Sequence, residues 1–282
     1  MTIIDKSTSY KGDGTGILLI HGLGGTPVEM RYIAQGLNRA GYTVNCCQLA
    51  GHCGSIDDLK NSSIDDWIQS VETAFDKMKD CENIFVGGLS AGSLFSLYLG
   101  EKYPDKIKGL ILYSPTILLN GWAMPFYMGA LHYLRPNMIM FDMLLTEREP
   151  HGLKDERIRA MIVDSMKKNS KDVGTFKMPL SVMAKFNSFS SSMRKKLNKI
   201  EVPLITFHSR NDDFADISNS YEIINKVSGK ADLVVLEDSY HIITLDKQRG
   251  YVLNRSKQYV DSNIEKKQQQ EKVLQYKPRS LA

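Results

Sequence analysis

The pentapeptide Gly88-Leu89-Ser90-Ala91-Gly92 constrains the fold of this 282-residue chain more than any other feature. It follows the apolar run Ile84-Phe85-Val86 and precedes residues 93–103, which predict a helix ended by Pro104. A serine between a buried strand and a helix sits in a very sharp turn, in a sparsely populated backbone conformation. Glycines at positions 88 and 92 fit that turn because side chains there would collide across it. The stretch therefore predicts a turn that lifts the Ser90 hydroxyl out of the fold.

Strands and helices alternate along most of the chain. Apolar runs of strand length separate segments in which apolar residues recur at helical spacing. The first of these helices has Thr26 as its N-cap, Pro27 as its first residue and Glu29 as the capping-box partner. This alternation predicts an α/β fold with a mostly parallel central sheet flanked by helices. The predicted strands are residues 16–21, 42–49, 84–86, 110–114, 203–208 and 232–236, and the predicted helices are residues 27–40, 64–78, 93–103, 218–227 and 249–264.

The alternation is interrupted once. Residues 116–199 contain no convincing buried strand and are rich in Met, Phe, Tyr and Trp, so we expect a helical cap insertion that rests on the face of the turn. The core domain then comprises residues 1–115 and 200–264. The tail, residues 265–282, is polar and rich in Gln and Lys, and is predicted to be disordered.

Charge is distributed unevenly along the chain. The net charge is +4, yet residues 154–200 carry 12 Lys and Arg against four Asp and Glu. Such a basic cap favours contact with an anionic carrier, phosphate head groups or a membrane surface. A helix with one solvated, charge-rich face explains the same pattern, and both interpretations stay open. The basic segments lack the interleaved aromatics of a nucleic-acid motif, so no nucleic-acid partner is expected.

Cysteine use and the N-terminus favour a cytoplasmic location. The four cysteines, at positions 46, 47, 53 and 81, do not have the spacing of a disulfide framework. Residues 1–10 lack the apolar core of a signal peptide, and the most apolar region, residues 122–134, is too short to span a bilayer. His52 and its neighbouring cysteines include metal-ligand types, but no two-pair ligand spacing occurs. We therefore expect no metal and no other cofactor.

Candidates for an acid and a base follow Ser90 in the chain. A serine nucleophile needs a base, an acid that orients the base, and donors for the oxyanion. His241 follows the last predicted strand and is the only one of six histidines beyond the acid candidates. Those candidates are Asp212 and Asp213, after the preceding strand. In such loops the acid usually follows the strand after a few residues, which favours Asp212. The carboxylate of Asp213 would then cap a loop or a helix.

Two backbone N–H groups are candidates for the oxyanion hole. Ala91 lies where the helix after Ser90 begins, so its N–H has no helical partner. Leu23 follows the first predicted strand and has glycine neighbours that leave room for a carbonyl group. His21 is expected to support this loop by hydrogen bonds. His52 either reaches the rim of the site or is a structural loop histidine.

The chain resembles the α/β-hydrolase fold serine hydrolases, and within them the branch of bacterial carboxylesterases and monoacylglycerol lipases. By this resemblance, Ser90, Asp212 and His241 are the catalytic triad, and Leu23 and Ala91 donate to the oxyanion. The resemblance covers residues 15–115 and 200–262 and rests on residues 19–27, 41–44, 51–52, 88–92, 212 and 238–246.

Two departures from the family pattern limit what the resemblance implies. Cys53 stands where a second glycine is common after the Gly-His pair. The insertion of about 80 residues is longer than the compact lids of the carboxylesterases. The substrate therefore does not follow from the resemblance, since function depends on the site and not on the fold.

We expect a cytoplasmic serine esterase that acts on small-molecule esters of short- to medium-chain acyl groups. The candidate substrate-binding residues Trp122, Met124, Phe126 and Met128 suit an adaptable apolar wall over the site, and equally the cap's own core. Two alternatives stay open. An acyl thioesterase or acyltransferase would use the same triad on an acyl carrier, and a non-catalytic protein of this fold would use the pocket to bind a ligand.

Overall fold

A seven-stranded, mostly parallel sheet organises the protein, and the computed structural model describes residues 4–125, 142–168, 174–175 and 177–275. The strands of this sheet are β1 (Thr8–Tyr10), β2 (Thr15–Ile20), β3 (Thr43–Cys47), β4 (Asn83–Leu89), β5 (Ile107–Tyr113), β8 (Leu204–Ser209) and β9 (Ala231–Leu236). Their spatial order is β1-β3-β2-β4-β5-β8-β9. Only the edge strand β1 runs antiparallel to its neighbour among the described pairs of this sheet. The predicted α/β class and mostly parallel sheet are confirmed.

Helices cover both faces of the sheet, which is why a central strand such as β2 is buried at every residue. The helices are α1 (Arg31–Arg39), α2 (Ile56–Asn61), α3 (Ile64–Asp76), α4 (Ala91–Lys102), α5 (Glu156–Lys167), α6 (Leu180–Arg194), α7 (Ser218–Lys226) and α8 (Arg249–Gln275). Trp67 of α3 and Phe95 of α4 pack in the core on one face. Leu37 of α1 and Val252 of α8 pack on the other.

The first helix begins as predicted but is divided in two. Thr26 caps a short 3₁₀ helix, Pro27–Met30, with its hydroxyl accepting from the Val28 N–H at 3.3 Å, and α1 follows directly. The edge strand β1 was not predicted from the sequence. It has three residues and a mixed burial pattern, too short for an apolar alternation to be recognised.

The cap contains helices as predicted, together with a short strand pair that was not predicted. Two short strands, β6 (Leu144–Thr146) and β7 (Lys177–Pro179), form an antiparallel pair within the insertion. Each has three residues, so neither carries a periodicity that separates it from a loop. The helices α5 and α6 and a short 3₁₀ helix, Leu197–Lys199, make up the other regular structure of the insertion among the described residues. We call residues 116–199 the cap.

The C-terminal helix is longer than predicted. α8 continues to Gln275, so the described part of residues 265–282 is helical rather than disordered. The polar composition of this stretch concealed the helix, since a helix without an apolar stripe shows no 3.6-residue period. None of the helices among the described residues is long and apolar enough to cross a membrane. The cytoplasmic location stays a prediction.

Candidate active site

Ser90 occupies a strained turn between β4 and α4. Its backbone has φ 55° and ψ −118°, a conformation that a non-glycine residue rarely adopts. A Cβ added at Gly88 would lie 2.1 Å from the Gly92 carbonyl oxygen, so a side chain would collide across the turn as expected. A Cβ at Gly92 would lie 2.3 Å from the carbonyl oxygen of Ile20, at the end of β2. The two glycines thus allow both the turn and its close packing against the neighbouring strand.

The structure places Asp212 against the ring of His241. The Nδ1 atom of His241 lies 2.8 Å from Oδ2 and 3.0 Å from Oδ1 of Asp212, and both side chains are buried. The backbone N–H groups of Phe214 and Ala215 donate to Asp212 Oδ1 at 2.8 Å each. These bonds orient the carboxylate. Because Asp212 accepts only, Nδ1 carries the proton and Nε2 is free to act as a base.

His208 lies behind this pair and was not singled out from the sequence. Its Nε2 donates to the Ala215 carbonyl at 2.7 Å and is 3.3 Å from Asp212 Oδ2. Burial acts to raise the pKa of Asp212, but His241 and His208 outweigh it and hold that pKa below its usual value. The carboxylate therefore stays charged. The sequence signal that could have identified His208 is its position at the end of the predicted strand 203–208, four residues before Asp212.

The hydrogen-bond partner of the Ser90 hydroxyl is Thr116 and not His241. Ser90 Oγ is 3.1 Å from Oγ1 of Thr116, which itself donates to the Ser114 carbonyl at 3.2 Å. Among the described residues, no hydrogen bond joins Ser90 to the His241 ring. Serine–base hydrogen bonds often form only once a substrate is present.

Leu23 and Ala91 flank the space in front of Ser90. A Cβ at the neighbouring Gly22 would lie 3.4 Å from Ser90 Cβ, which puts the loop after β2 directly beside the serine. Within the described part of the chain, neither the Leu23 nor the Ala91 N–H is hydrogen-bonded to a protein acceptor. Two such donors are free to stabilise an oxyanion.

His21 supports the oxyanion loop as predicted. Its Nδ1 donates to the Gly22 carbonyl at 2.8 Å, and its Nε2 accepts the Leu49 N–H at 3.1 Å. Burial lowers the pKa of His21 to about 3, so the ring stays neutral and keeps both bonds. His52 is buried against His21 and Trp67 and is a structural histidine, not a rim residue.

Asp213 touches backbone and not the ring of His241. Its Oδ1 accepts the His241 N–H at 3.2 Å, and its Oδ2 accepts the Gly152 N–H of the cap at 2.8 Å. Burial raises the pKa of Asp213 to about 6. Asp213 therefore has the structural role expected of whichever aspartate is not the triad acid.

Two further carboxyl groups, Glu29 and Glu147, line the catalytic cavity. Glu29 accepts the Gly22 N–H at 3.1 Å, and desolvation raises its pKa to about 7. Desolvation, together with the nearby Glu29, raises the pKa of Glu147 to about 8. A largely neutral Glu147 leaves less negative charge to repel a developing oxyanion. No sequence pattern pointed to Glu147, which lies in a polar stretch of the cap.

The cavity in front of Ser90 has a volume of about 460 Å³, within the range of small-molecule sites. Of the predicted substrate-binding residues, Met124 lines it. Trp122 does not: it is 59% exposed, and its indole N–H donates to the Asn211 carbonyl at 3.0 Å. Phe126 and Met128 lie outside the described residues. The other apolar lining residues include Leu119, Leu145, Ile158, Ile162, Met178, Met183, Phe214 and Leu245.

Residues 15–248 match the protein family described as Serine aminopeptidase, S33 (Hydrolase_4), and the chain belongs to this family. It is 27% identical over 254 residues to a thermostable monoacylglycerol lipase of a Bacillus species, covering 86% of this chain and 89% of the relative. A carboxylesterase of Bacillus subtilis is 28% identical over 254 residues, covering 89% and 94%. A structure from the metagenome-derived lipolytic enzymes LipS and LipT superposes with a TM-score of 0.77 at 23% identity, covering 91% and 97%.

These comparisons confirm the predicted resemblance and the α/β-hydrolase fold. They also confirm the predicted enzyme class, a carboxylic ester hydrolase. The substrate's acyl and alcohol groups are a separate question, which the cavity addresses.

We expect the reaction rate to fall on acidification, because only neutral His241 can accept a proton. Burial acts to lower the pKa of His241, but the Asp212 carboxylate and its hydrogen bond outweigh it, aided by Asp213. The pKa is therefore raised above its ordinary value of 6.5, and activity is lost as the pH falls through that raised value. Measuring kcat/KM for 4-nitrophenyl acetate against pH tests this. A rate that stays constant well below pH 6 would contradict it.

Proposed function

We propose that Ser90, His241 and Asp212 form a catalytic triad that hydrolyses carboxylic esters of short- to medium-chain acyl groups. The observation that carries this proposal is the buried pair of hydrogen bonds, 2.8 and 3.0 Å, between His241 Nδ1 and Asp212, next to a serine in a strained turn. Asp212 fixes the tautomer in which Nε2 accepts a proton and stabilises the imidazolium that results.

The reaction proceeds in two halves. Ser90 Oγ rotates away from Thr116, attacks the ester carbonyl and transfers its proton to His241 Nε2. The Leu23 and Ala91 N–H groups donate to the resulting oxyanion. The C–O bond to the alcohol then breaks, and His241 returns the proton to the leaving oxygen. Water, deprotonated by the same histidine, releases the acid from the acyl-enzyme and restores the Ser90 hydroxyl.

The cavity supports an apolar acyl group. Its walls are mostly Leu, Ile, Met and Phe side chains contributed by both the core and the cap. Methionine side chains adapt to different ligand shapes, which suits a range of chain lengths. The relatives named above are a monoacylglycerol lipase and a carboxylesterase, and both names describe enzymes acting on esters.

We expect kcat/KM to rise from acetyl to medium-chain 4-nitrophenyl esters and then to level off or fall. Each added methylene that is buried contributes at most about 0.8 kcal/mol, or roughly fourfold in kcat/KM, until the cavity is filled. A maximum at acetate with a steady decline would show that the cap closes the site instead of lining it.

Two further measurements sharpen this test. Met124→Trp narrows the cavity and should move the optimum to shorter chains, whereas Met143→Trp, at a site that is 64% exposed and outside the described lining, should not. An acyl thioester hydrolysed much faster than the oxygen ester of the same chain length would favour the thioesterase alternative.

A further inference from the structure

Two buried carboxylates hold the loop that carries His241. We call residues 238–246 the histidine loop. Asp213 Oδ1 accepts the N–H of His241 at 3.2 Å, and Asp246 Oδ2 accepts the N–H of Tyr240 at 2.7 Å. Both aspartates are 0% exposed. The N–H groups of Tyr240 and of His241, the proposed base, thus both donate to fully buried carboxylates.

The same two carboxylates bind the cap. Asp213 Oδ2 accepts the Gly152 N–H at 2.8 Å. Asp246 accepts the N–H groups of Lys154 at 3.0 Å and Asp155 at 2.8 Å. Each aspartate therefore bridges the histidine loop and residues 152–155, which we call the cap segment. Buried, charge-assisted hydrogen bonds of this kind are costly to break singly, because the unpaired group stays desolvated.

The cap segment also packs directly on the histidine loop. The Ile242 N–H donates to the Gly152 carbonyl at 2.8 Å. Gly152 has φ 74°, and a Cβ there would lie 2.7 Å from Ile242 Cγ1 and 3.3 Å from His241 Cβ. On the solvent side, Lys154 Nζ pairs with Asp238 Oδ1 at 2.8 Å. The two segments are therefore in direct backbone and side-chain contact.

We propose that Asp213 and Asp246 are positioning residues: they set the place of His241 relative to Ser90 by tying the histidine loop to the cap segment. The proposal rests on the triad proposed above. If the cap segment moves, the histidine loop that is bonded to it moves as well. The position of the cap therefore sets the position of His241 as well as access to the cavity. Displacement of a catalytic group by about 1 Å can cost about 100-fold in rate.

Asp213→Asn and Asp246→Asn test the proposal, with Asp164→Asn as the matched control. An asparagine keeps one acceptor oxygen and loses the other, so each variant loses at least one bond of the bridge. Asp164 is exposed on α5 and pairs only with Lys168 among the described residues. We expect kcat to fall about tenfold in each bridge variant, with KM unchanged and the same factor for acetate and hexanoate esters. The control should match the unaltered enzyme.

Two readouts separate positioning from a general loss of stability. The rate of covalent labelling of Ser90 by a fluorophosphonate, measured per folded molecule, should fall in parallel with kcat. Asp213→Asn should also lower the apparent pKa of the acidic limb, since the Asp213 carboxylate favours protonated His241, and Asp246→Asn should not. Bridge variants that melt earlier but keep kcat and labelling rate per folded molecule would overturn the proposal.

Lys154→Ala decides the question if a bridge variant does not fold. It removes the ion pair with Asp238 and the contact of the ammonium group with the Tyr240 ring, 5.8 Å from the ring centroid, and leaves both aspartates in place. We expect a two- to threefold loss in kcat at constant KM. An unchanged kcat would then count against the proposal. Activity that depends on Ser90 but not on the bridge refutes this inference alone, whereas activity that survives Ser90→Ala refutes the triad itself.

Discussion

Ser90→Ala is expected to abolish ester hydrolysis, with a loss in kcat of roughly 10⁶-fold, because the proposed acyl-enzyme forms on the Ser90 hydroxyl. The substitution removes one oxygen atom at a position where Thr116 Oγ1 is the hydrogen-bond partner, so folding should be little affected. Mass spectrometry after treatment with a fluorophosphonate should show one adduct on the unaltered enzyme, at Ser90, and none on the variant.

A matched control is available next to the turn. Ser93→Ala removes a buried hydroxyl on α4 that donates to the Gly88 carbonyl at 2.7 Å and does not face the cavity. Its labelling and turnover should persist, although its stability falls by about 1 kcal/mol. Labelling at another serine, or full turnover by Ser90→Ala, would refute the proposed nucleophile.

Asp212→Asn is expected to lower kcat by about 10⁴-fold, the loss typical of a triad whose acid can no longer fix the histidine tautomer. The amide would direct an N–H group at His241 Nδ1, so the ring would keep its proton on Nε2 and could not act as a base. The two backbone bonds to Oδ1 keep the side chain in place. The variant should therefore be folded and inactive.

Asp213→Asn is the comparison that makes this result specific. It lies one residue away, is equally buried, and should cost about tenfold through the histidine loop. Measuring kcat for both variants, with thermal unfolding to confirm the fold, distinguishes the two aspartates. A larger loss for Asp213→Asn would mean that the roles are reversed.

Local sequence patterns predicted the parts of the fold that depend on burial or on backbone geometry. Apolar runs identified β2, β3, β4, β5, β8 and β9 because both faces of a parallel sheet are covered by helices. The glycines around Ser90 identified the turn because only they permit its close contacts. Chain order alone selected His241 among six histidines as the candidate base, since Ser90, Asp212 and His241 each follow a strand at the same edge of the parallel sheet.

The residues that the sequence missed act through tertiary contacts that no local pattern records. Glu147 stands in a polar stretch, and its pKa is raised by burial in the folded protein and by Glu29, 118 positions away in the chain. Asp246 was noticed only as part of a motif, and its bonds to the cap arise from the folding of an insertion. Trp122 was misassigned because an aromatic residue near a site predicts a lining role, whereas its indole N–H anchors the loop of the acid.

The carboxyl groups in the cavity also bear on how the reaction ends. Ester hydrolysis leaves a free acid beside Ser90, and a carboxylic acid with an ordinary pKa of about 4 to 5 is charged at neutral pH. As the pH rises through about 7 and about 8, Glu29 and Glu147 lose their protons in the same space. The negative charges on Glu29 and Glu147 then repel the carboxylate product from the cavity. Product inhibition weakens as the pH rises, and resynthesis of ester from free acid becomes confined to the acidic side of neutrality.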